Sequence, residues 1–138
     1  MNIFFHSDGV NFDLVNKQIV EKWLVDCISL LQRSVGEINF VFCNDDYLLE
    51  INKKYLNHDY YTDVITFDYS IKNIISGDIF ISIDRVQENA KTLELDFMQE
   101  LYRVIVHGVL HLSGYNDKSE QDKIAMREKE GELLSLFG

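Results

Sequence analysis

Hydrophobic and polar positions alternate between two periods along this chain, and the switches mark out its elements. Asn2-Ile3-Phe4-Phe5-His6 predicts a first strand. From Asn11 the pattern turns helical: Leu14, Val15, Ile19, Trp23, Cys27 and Leu31 recur at close to helical steps, and Gly36 supplies a stop. Ile38-Asn39-Phe40-Val41-Phe42 predicts a second strand from its aromatic and β-branched residues. Asn44 then reads as a helix N-cap, with Asp45 and Asp46 in the first turn, where the helix dipole favours anions. Leu48, Ile51 and Tyr55, flanked by Leu49, form the buried stripe expected of that helix.

After a polar loop, Val64 to Tyr69 predicts a strand, residues 70–77 a turn, and Asp78 to Ile83 another strand. Asp84 is placed to cap a short helix through Val86, Ala90 and Leu93. Asp96 with Gln99 forms a capping box for a long helix carrying Phe97, Leu101, Val104, Ile105 and Leu112. Ser119 with Asp122 starts a last helix through Ile124, Met126, Leu133, Leu134 and Phe137. Helices interleaved with short strands predict an α+β fold: a small mixed sheet of about four strands packed with about five helices. With no proline, no Gly/Ser linker and no repeat, residues 1–138 read as one domain.

Composition narrows the partners. Nine Phe, seven Tyr and one Trp supply ample apolar surface for a core in 138 residues. Thirteen Lys and Arg against 23 Asp and Glu give a formal charge of −10, which argues against a protein that coats DNA or an anionic membrane. A local basic groove on an acidic body remains compatible with it. No run approaches the roughly 18 apolar residues needed to cross a bilayer, and the N-terminus lacks a basic segment with a cleavage site. Cys27 and Cys43 are too few for a disulfide scaffold and read as free thiols, which places the chain in the cytoplasm.

The candidate chemistry lies in His107-Gly108-Val109-Leu110-His111-Leu112-Ser113-Gly114-Tyr115-Asn116-Asp117. Four residues apart on a helix, His107 and His111 project from one face, so two ring nitrogens can meet one ion at about 2.0–2.1 Å. Gly114 stops the helix and reverses the chain, and the turn can return Asp117 as a third, oxygen ligand. Three protein ligands leave a position open, the pattern of a catalytic rather than a closed structural site. A plain hydrogen-bonded histidine pair is the alternative. Gly108 inside the helix implies close approach of a substrate or backbone, or tight helix–sheet packing. The spacing also matches metzincin peptidases, but Gly108 stands where their general-base Glu belongs, which disfavours peptide hydrolysis.

This segment resembles the HGxLHLxGYDH signature of the bacterial YbeY family, metal-dependent endoribonucleases of ribosomal RNA maturation. Further blocks follow in order: Ile51-Asn52-Lys53-Lys54-Tyr55 resembles LNxxY, Thr62-Asp63-Val64-Ile65-Thr66-Phe67 resembles TDVLSF, and Gly77-Asp78-Ile79 with Ile81-Ser82 resembles GDIxIS. Met126 and Glu130 also stand where the family tends to carry Met and Glu. The likeness runs from about Glu37 to Leu134. It implies a small mixed sheet with the metal on one long helix, one Zn²⁺ or related divalent ion per chain, and cleavage of 16S rRNA precursor on the small ribosomal subunit.

Three positions depart from the family pattern. Asp117 replaces a third His, with Asn116 before it; Leu56 stands where the family has Arg; Tyr61 replaces a Pro. A carboxylate ligand adds negative charge and makes harder ions such as Mn²⁺ more competitive. For the missing cation, Arg103, one turn before His107, is the candidate catalytic residue, while Lys53, Lys54, His58 and Arg85 are candidates to hold RNA. Tyr60, Tyr61 and Tyr115 could stack on bases or serve packing, and Asp63 and Asp78 are expected to cap loops or bond nearby backbone. A ribosome-assembly factor with a purely structural metal, and a metzincin-like hydrolase, are the competing readings.

Overall fold

The chain enters its sheet at β1 (Ile3–Ser7), crosses through α1 (Lys17–Leu30) and returns as β2 (Ser34–Cys43). Then follow α2 (Asp45–Leu56), β3 (Val64–Asp68), β4 (Ile74–Ser82), α3 (Ile83–Leu93), α4 (Phe97–Leu112) and α5 (Glu120–Leu134). This computed structural model describes residues 2–137. The strand order is β1-β2-β4-β3; β1, β2 and β4 run parallel, and β3 runs antiparallel to β4.

The sheet's two faces follow from strand alternation. Ile38, Phe40 and Phe42 of β2 and Ile79 and Ile81 of β4 face the main core, shared with α1, α4 and α5. Cys43, Ile65, Phe67 and Phe80 face the other way, against Leu48 and Ile51 of α2. Helix α4 is buried nearly all round, as a helix that packs on the sheet and between neighbouring helices should be. Its Gly108 lies over Ile79, the residue of β4 that pairs with Phe40 and Thr66. A Cβ at Gly108 would stand 2.8 Å from Ile79 Cγ2, so this glycine serves tight helix–sheet packing rather than a passing substrate.

Several expectations shift at their edges. Helix α1 begins at Lys17, not Asn11, because Asn16 takes a left-handed conformation (φ 56°). It ends at Leu30, where Gln32 (φ 62°) reverses the chain, and Gly36 lies inside β2. Ser82 rather than Asp84 caps α3, accepting from the Arg85 backbone N–H. Strand β4 starts at Ile74, inside the segment expected to be a turn. On α2, Tyr55 is exposed and Asn52 is buried. On α5, Ile124 is exposed while Met126, Glu130 and Leu133 are buried. The Asn44 cap and both capping boxes are present. No described helix is long and apolar enough to cross a membrane.

Candidate metal centre and its clefts

Helix α4 ends in a hydrogen-bonded reversal that positions three side chains at once. Gly114 adopts φ +97°. Its N–H donates to His111 O (3.1 Å), and the Tyr115 N–H donates to Leu110 O (3.0 Å). These are the two bonds of a Schellman motif, which needs a residue without a Cβ at the left-handed position. The reversed chain carries Asp117 back over the last turn of α4. There His107 Nε2, His111 Nε2 and Asp117 Oδ2 form a triangle with edges of 3.0, 3.5 and 3.5 Å. Ligands of a tetrahedral ion at about 2.0–2.2 Å lie about 3.4 Å apart, so the triangle has the size of one face of such a polyhedron.

The hydrogen bonds behind these rings decide what the triangle is. His107 Nδ1 lies 2.6 Å from Glu130 Oε2, and His111 Nδ1 lies 3.1 Å from the Tyr115 carbonyl oxygen. Both partners are acceptors, so both Nδ1 atoms donate and each neutral ring keeps a bare lone pair at Nε2. With both rings neutral the two Nε2 atoms cannot satisfy one another at 3.0 Å, and Asp117 adds a third acceptor. In the neutral pair three lone pairs converge, an arrangement that suits a cation. A hydrogen-bonded histidine pair with the same backing bonds needs a second proton on one ring, held between the two Nε2 atoms.

Burial, with His107 next, holds the His111 imidazole below its usual value of 6.5, although Asp117 and the Tyr115 carbonyl pull the other way. That favours the neutral ring, which is the ligating form.

Glu130, almost fully buried on α5, is the side chain that sequence reasoning noted only as a family feature. Burial would raise its carboxyl, but the His107 hydrogen bond and the Arg103 charge outweigh it and hold it below the ordinary range. Arg103 Nε and Nη2 bond Glu100 at 2.8 and 2.7 Å, and Nη1 reaches Glu130 at 3.3 Å. Glu100 is fully buried. The Glu100 hydrogen bond raises the Arg103 pKa further, so the guanidinium stays charged. These contacts give Arg103 a role beyond the one expected: three of its five N–H donors bond two buried carboxylates, which fixes the guanidinium beside Glu130 at the edge of the second cleft. Periodicity offered one signal for Glu130, a carboxylate at i+4 from Met126 and three residues before Leu133 on the buried face of α5.

Two clefts open from the triangle, and His107 and Asp117 line both. The first is walled by β3 and the loop after α2, with Thr62, Asp63, Thr66, His58, Tyr60 and Leu56. The buried Asn52 fastens that loop: its side-chain amide donates to Tyr60 O (3.0 Å), and its backbone carbonyl accepts from the His58 backbone N–H. His58 is thus brought to the candidate centre, its Nδ1 3.0 Å from the Tyr60 hydroxyl. Leu56 faces the same space, so the position that the resemblance gives to Arg is apolar here. Asp63 accepts from the Asn89 side chain rather than capping a loop.

The remaining candidates lie elsewhere. Lys53 pairs loosely with Glu50 and Asp59, Lys54 sits over the Tyr55 ring, and neither lines the cleft. Arg85 is also misplaced for that groove: it bonds Asp45 at 2.7 Å, covers Tyr61 and lines a separate depression with Asp84 and Glu88. Its position in the first turn of α3 points it at α2.

Comparison with known proteins shows what the whole chain is similar to. The family model described as "Endoribonuclease YbeY" matches residues 5–138. A protein of that name from Flavobacterium psychrophilum is 52% identical over 93% of this chain and 91% of its own. One from Porphyromonas gingivalis is 46% identical over 98% and 89%. The solution structure of a Thermotoga maritima protein superposes with a TM-score of 0.69 over 98% of this chain and 88% of that one, at 24% identity, which shows a shared fold. The folded core, the paired histidines on α4 and these relatives together place the chain in the YbeY endoribonuclease family.

Proposed function

We propose that this chain cleaves RNA phosphodiester bonds in ribosomal RNA maturation, with a divalent cation held by His107, His111 and Asp117. The observation that carries this reading is the triangle of Nε2, Nε2 and Oδ2 atoms, with both histidine Nδ1 atoms engaged by acceptors behind it. Two imidazoles and a carboxylate are a donor set that suits zinc, and they leave a coordination position for water or substrate. A cation there supplies Lewis acidity, polarising a phosphoryl oxygen and acidifying a bound water.

The protein's own groups prepare the site. Glu130 accepts the His107 Nδ1–H and the Tyr115 carbonyl accepts that of His111, which fixes both tautomers before substrate arrives. Arg103 acts as a positioning residue by holding Glu130 against His107. His58 and Tyr60 offer an aromatic pair, ring centroids 5.1 Å apart, beside the centre for an unstacked base. The 16S precursor on the small ribosomal subunit is the substrate we assign, in the cytoplasm.

Elemental analysis of untagged protein, beside cleavage of a structured rRNA precursor, tests this. Wild type should carry about one zinc per chain, the stoichiometry of a three-ligand catalytic site. His107→Ala, His111→Ala and Asp117→Ala should each lose both metal and cleavage. Metal retained in all three variants would refute the ligand set. A metal-loaded wild type that leaves the RNA intact would refute the activity and favour a structural metal.

A further inference from the structure

The second cleft differs from the first in the sign of its wall. The first has no lysine or arginine among its lining residues. The second is walled by α5, which contributes Lys123, Ile124 and Arg127 beside His107 and Asp117. Lys123 and Arg127 are one helical turn apart, about 6 Å along the axis. Their partners hold them weakly: Lys123 lies 3.8 Å from Glu120 and Arg127 4.0 Å from Glu130, with side chains 57% and 71% exposed. Contacts this long from cations this exposed contribute little, so both cations can change partner at small cost, although Glu130 itself is buried. Arg103 of α4, which also lines this cleft, is held more firmly, by three hydrogen bonds to the buried Glu100 and Glu130. Between these two loosely paired cations Ile124 is 58% exposed, an apolar side chain on a helix whose inner face is already filled by Met126, Glu130 and Leu133.

We propose that this α5 wall is a nucleotide subsite for the RNA strand on the far side of the scissile phosphate. Lys123 and Arg127 each take one backbone phosphate, and Ile124 packs against the intervening ribose or base. The assignment rests on the RNA-cleaving function proposed above and adds where the strand leaves the centre. Because His107 and Asp117 line both clefts, a strand crossing the triangle enters one cleft and leaves by the other. On a body of charge −10 the polyanion is held where loosely paired cations adjoin the centre, not along α2.

The test is the double variant Lys123→Ala/Arg127→Ala, beside Lys17→Ala/Lys22→Ala, which removes the same charge from exposed positions of α1. The probes are zinc content, cleavage kinetics on a short single-stranded RNA, and binding of that labelled RNA in EDTA across a salt series. The α5 variant should keep its zinc, raise KM on the order of tenfold and leave kcat within about twofold, because only phosphate contacts are lost. Its log K against log salt should flatten by about 1.4, or about 0.7 for each contact on a single strand. The α1 variant should move these quantities much less. Wild-type KM and salt slope in the α5 variant, with RNA still cleaved, would overturn the subsite alone. A zinc-loaded wild type that leaves the RNA uncut would overturn the function, and the subsite with it.

Discussion

Arg103 carries a permanent charge into a pocket where Glu100 and Glu130 are both buried, and its bonds leave no buried side-chain nitrogen or oxygen unpaired among the described residues. Removing it strands two carboxylates away from water. Arg103→Met should therefore destabilise the protein by about 3–5 kcal/mol in denaturant titration, whereas Arg85→Met, at a pair 32% and 20% exposed, should cost only about 1 kcal/mol. Asp45 gives a pH test at the same scale. Burial works to raise its carboxyl, but the Arg85 and Ser82 hydrogen bonds and the Arg85 charge prevail and lower it below 3.8. Its stabilisation is complete above that pH and fades as pH falls through the depressed folded value. Asp45→Asn should thus lower stability at neutral pH and flatten the acid limb of the stability profile below about pH 4. Burial pushes the Cys27 and Cys43 thiols up to about 12, so both should react with a disulfide reagent only on unfolding. At this scale the sequence was a partial guide. A four-residue spacing is local, so His107 and His111 were legible; Glu100 is polar by composition, and nothing in a single chain reading says that it is buried beneath Arg103.

Helix α4 shows how an element constrains the site through its packing. Gly108 touches Ile79 so closely that Gly108→Ala forces either the helix or β4 to shift, which should destabilise by about 1–3 kcal/mol. Shortening the neighbour makes room. The double variant Gly108→Ala/Ile79→Ala should therefore lose less than the sum of its single variants, as a double-mutant cycle would show. The Schellman turn is the second constraint. An alanine at Gly114 finds open space but has to hold φ near +97°, at about 1–2 kcal/mol, and the turn that returns Asp117 loosens with it. Reduced zinc affinity in Gly114→Ala, measured by competition with a chelator, is the expected outcome. Strands and capped helices were legible because period and caps are local signals. The start of α1 was not, because a left-handed Asn16 ends the apparent period without leaving a mark in it.

For the whole molecule, the acidic body and its few well-placed cations predict salt-sensitive RNA binding despite the charge of −10. A ligand that binds only the folded state also adds stability. Zinc at about 100 times its dissociation constant should stabilise the wild type by about 2.7 kcal/mol and leave His107→Ala/His111→Ala unchanged, as thermal melts with and without metal would record. Glu130 couples this scale to the first. It reaches His107 from a helix 23 residues further along the chain, so Glu130→Gln should weaken metal affinity about 10–100-fold with the three ligands intact.

Sequence by itself determined the α+β class, the order of nearly all the elements, the two histidines and the turn that returns Asp117, because each depends on neighbours within about ten residues. Tertiary structure decided which charges are held tightly and which only loosely. It buried Glu100 and Glu130 around Arg103, turned Arg85 toward Asp45, and set Lys123 and Arg127 beside the centre while Lys53 and Lys54 stayed outside it. The physical reason is that a side chain's electrostatic role depends on burial and on partners from other elements, and those are settled only when helices and sheet pack together.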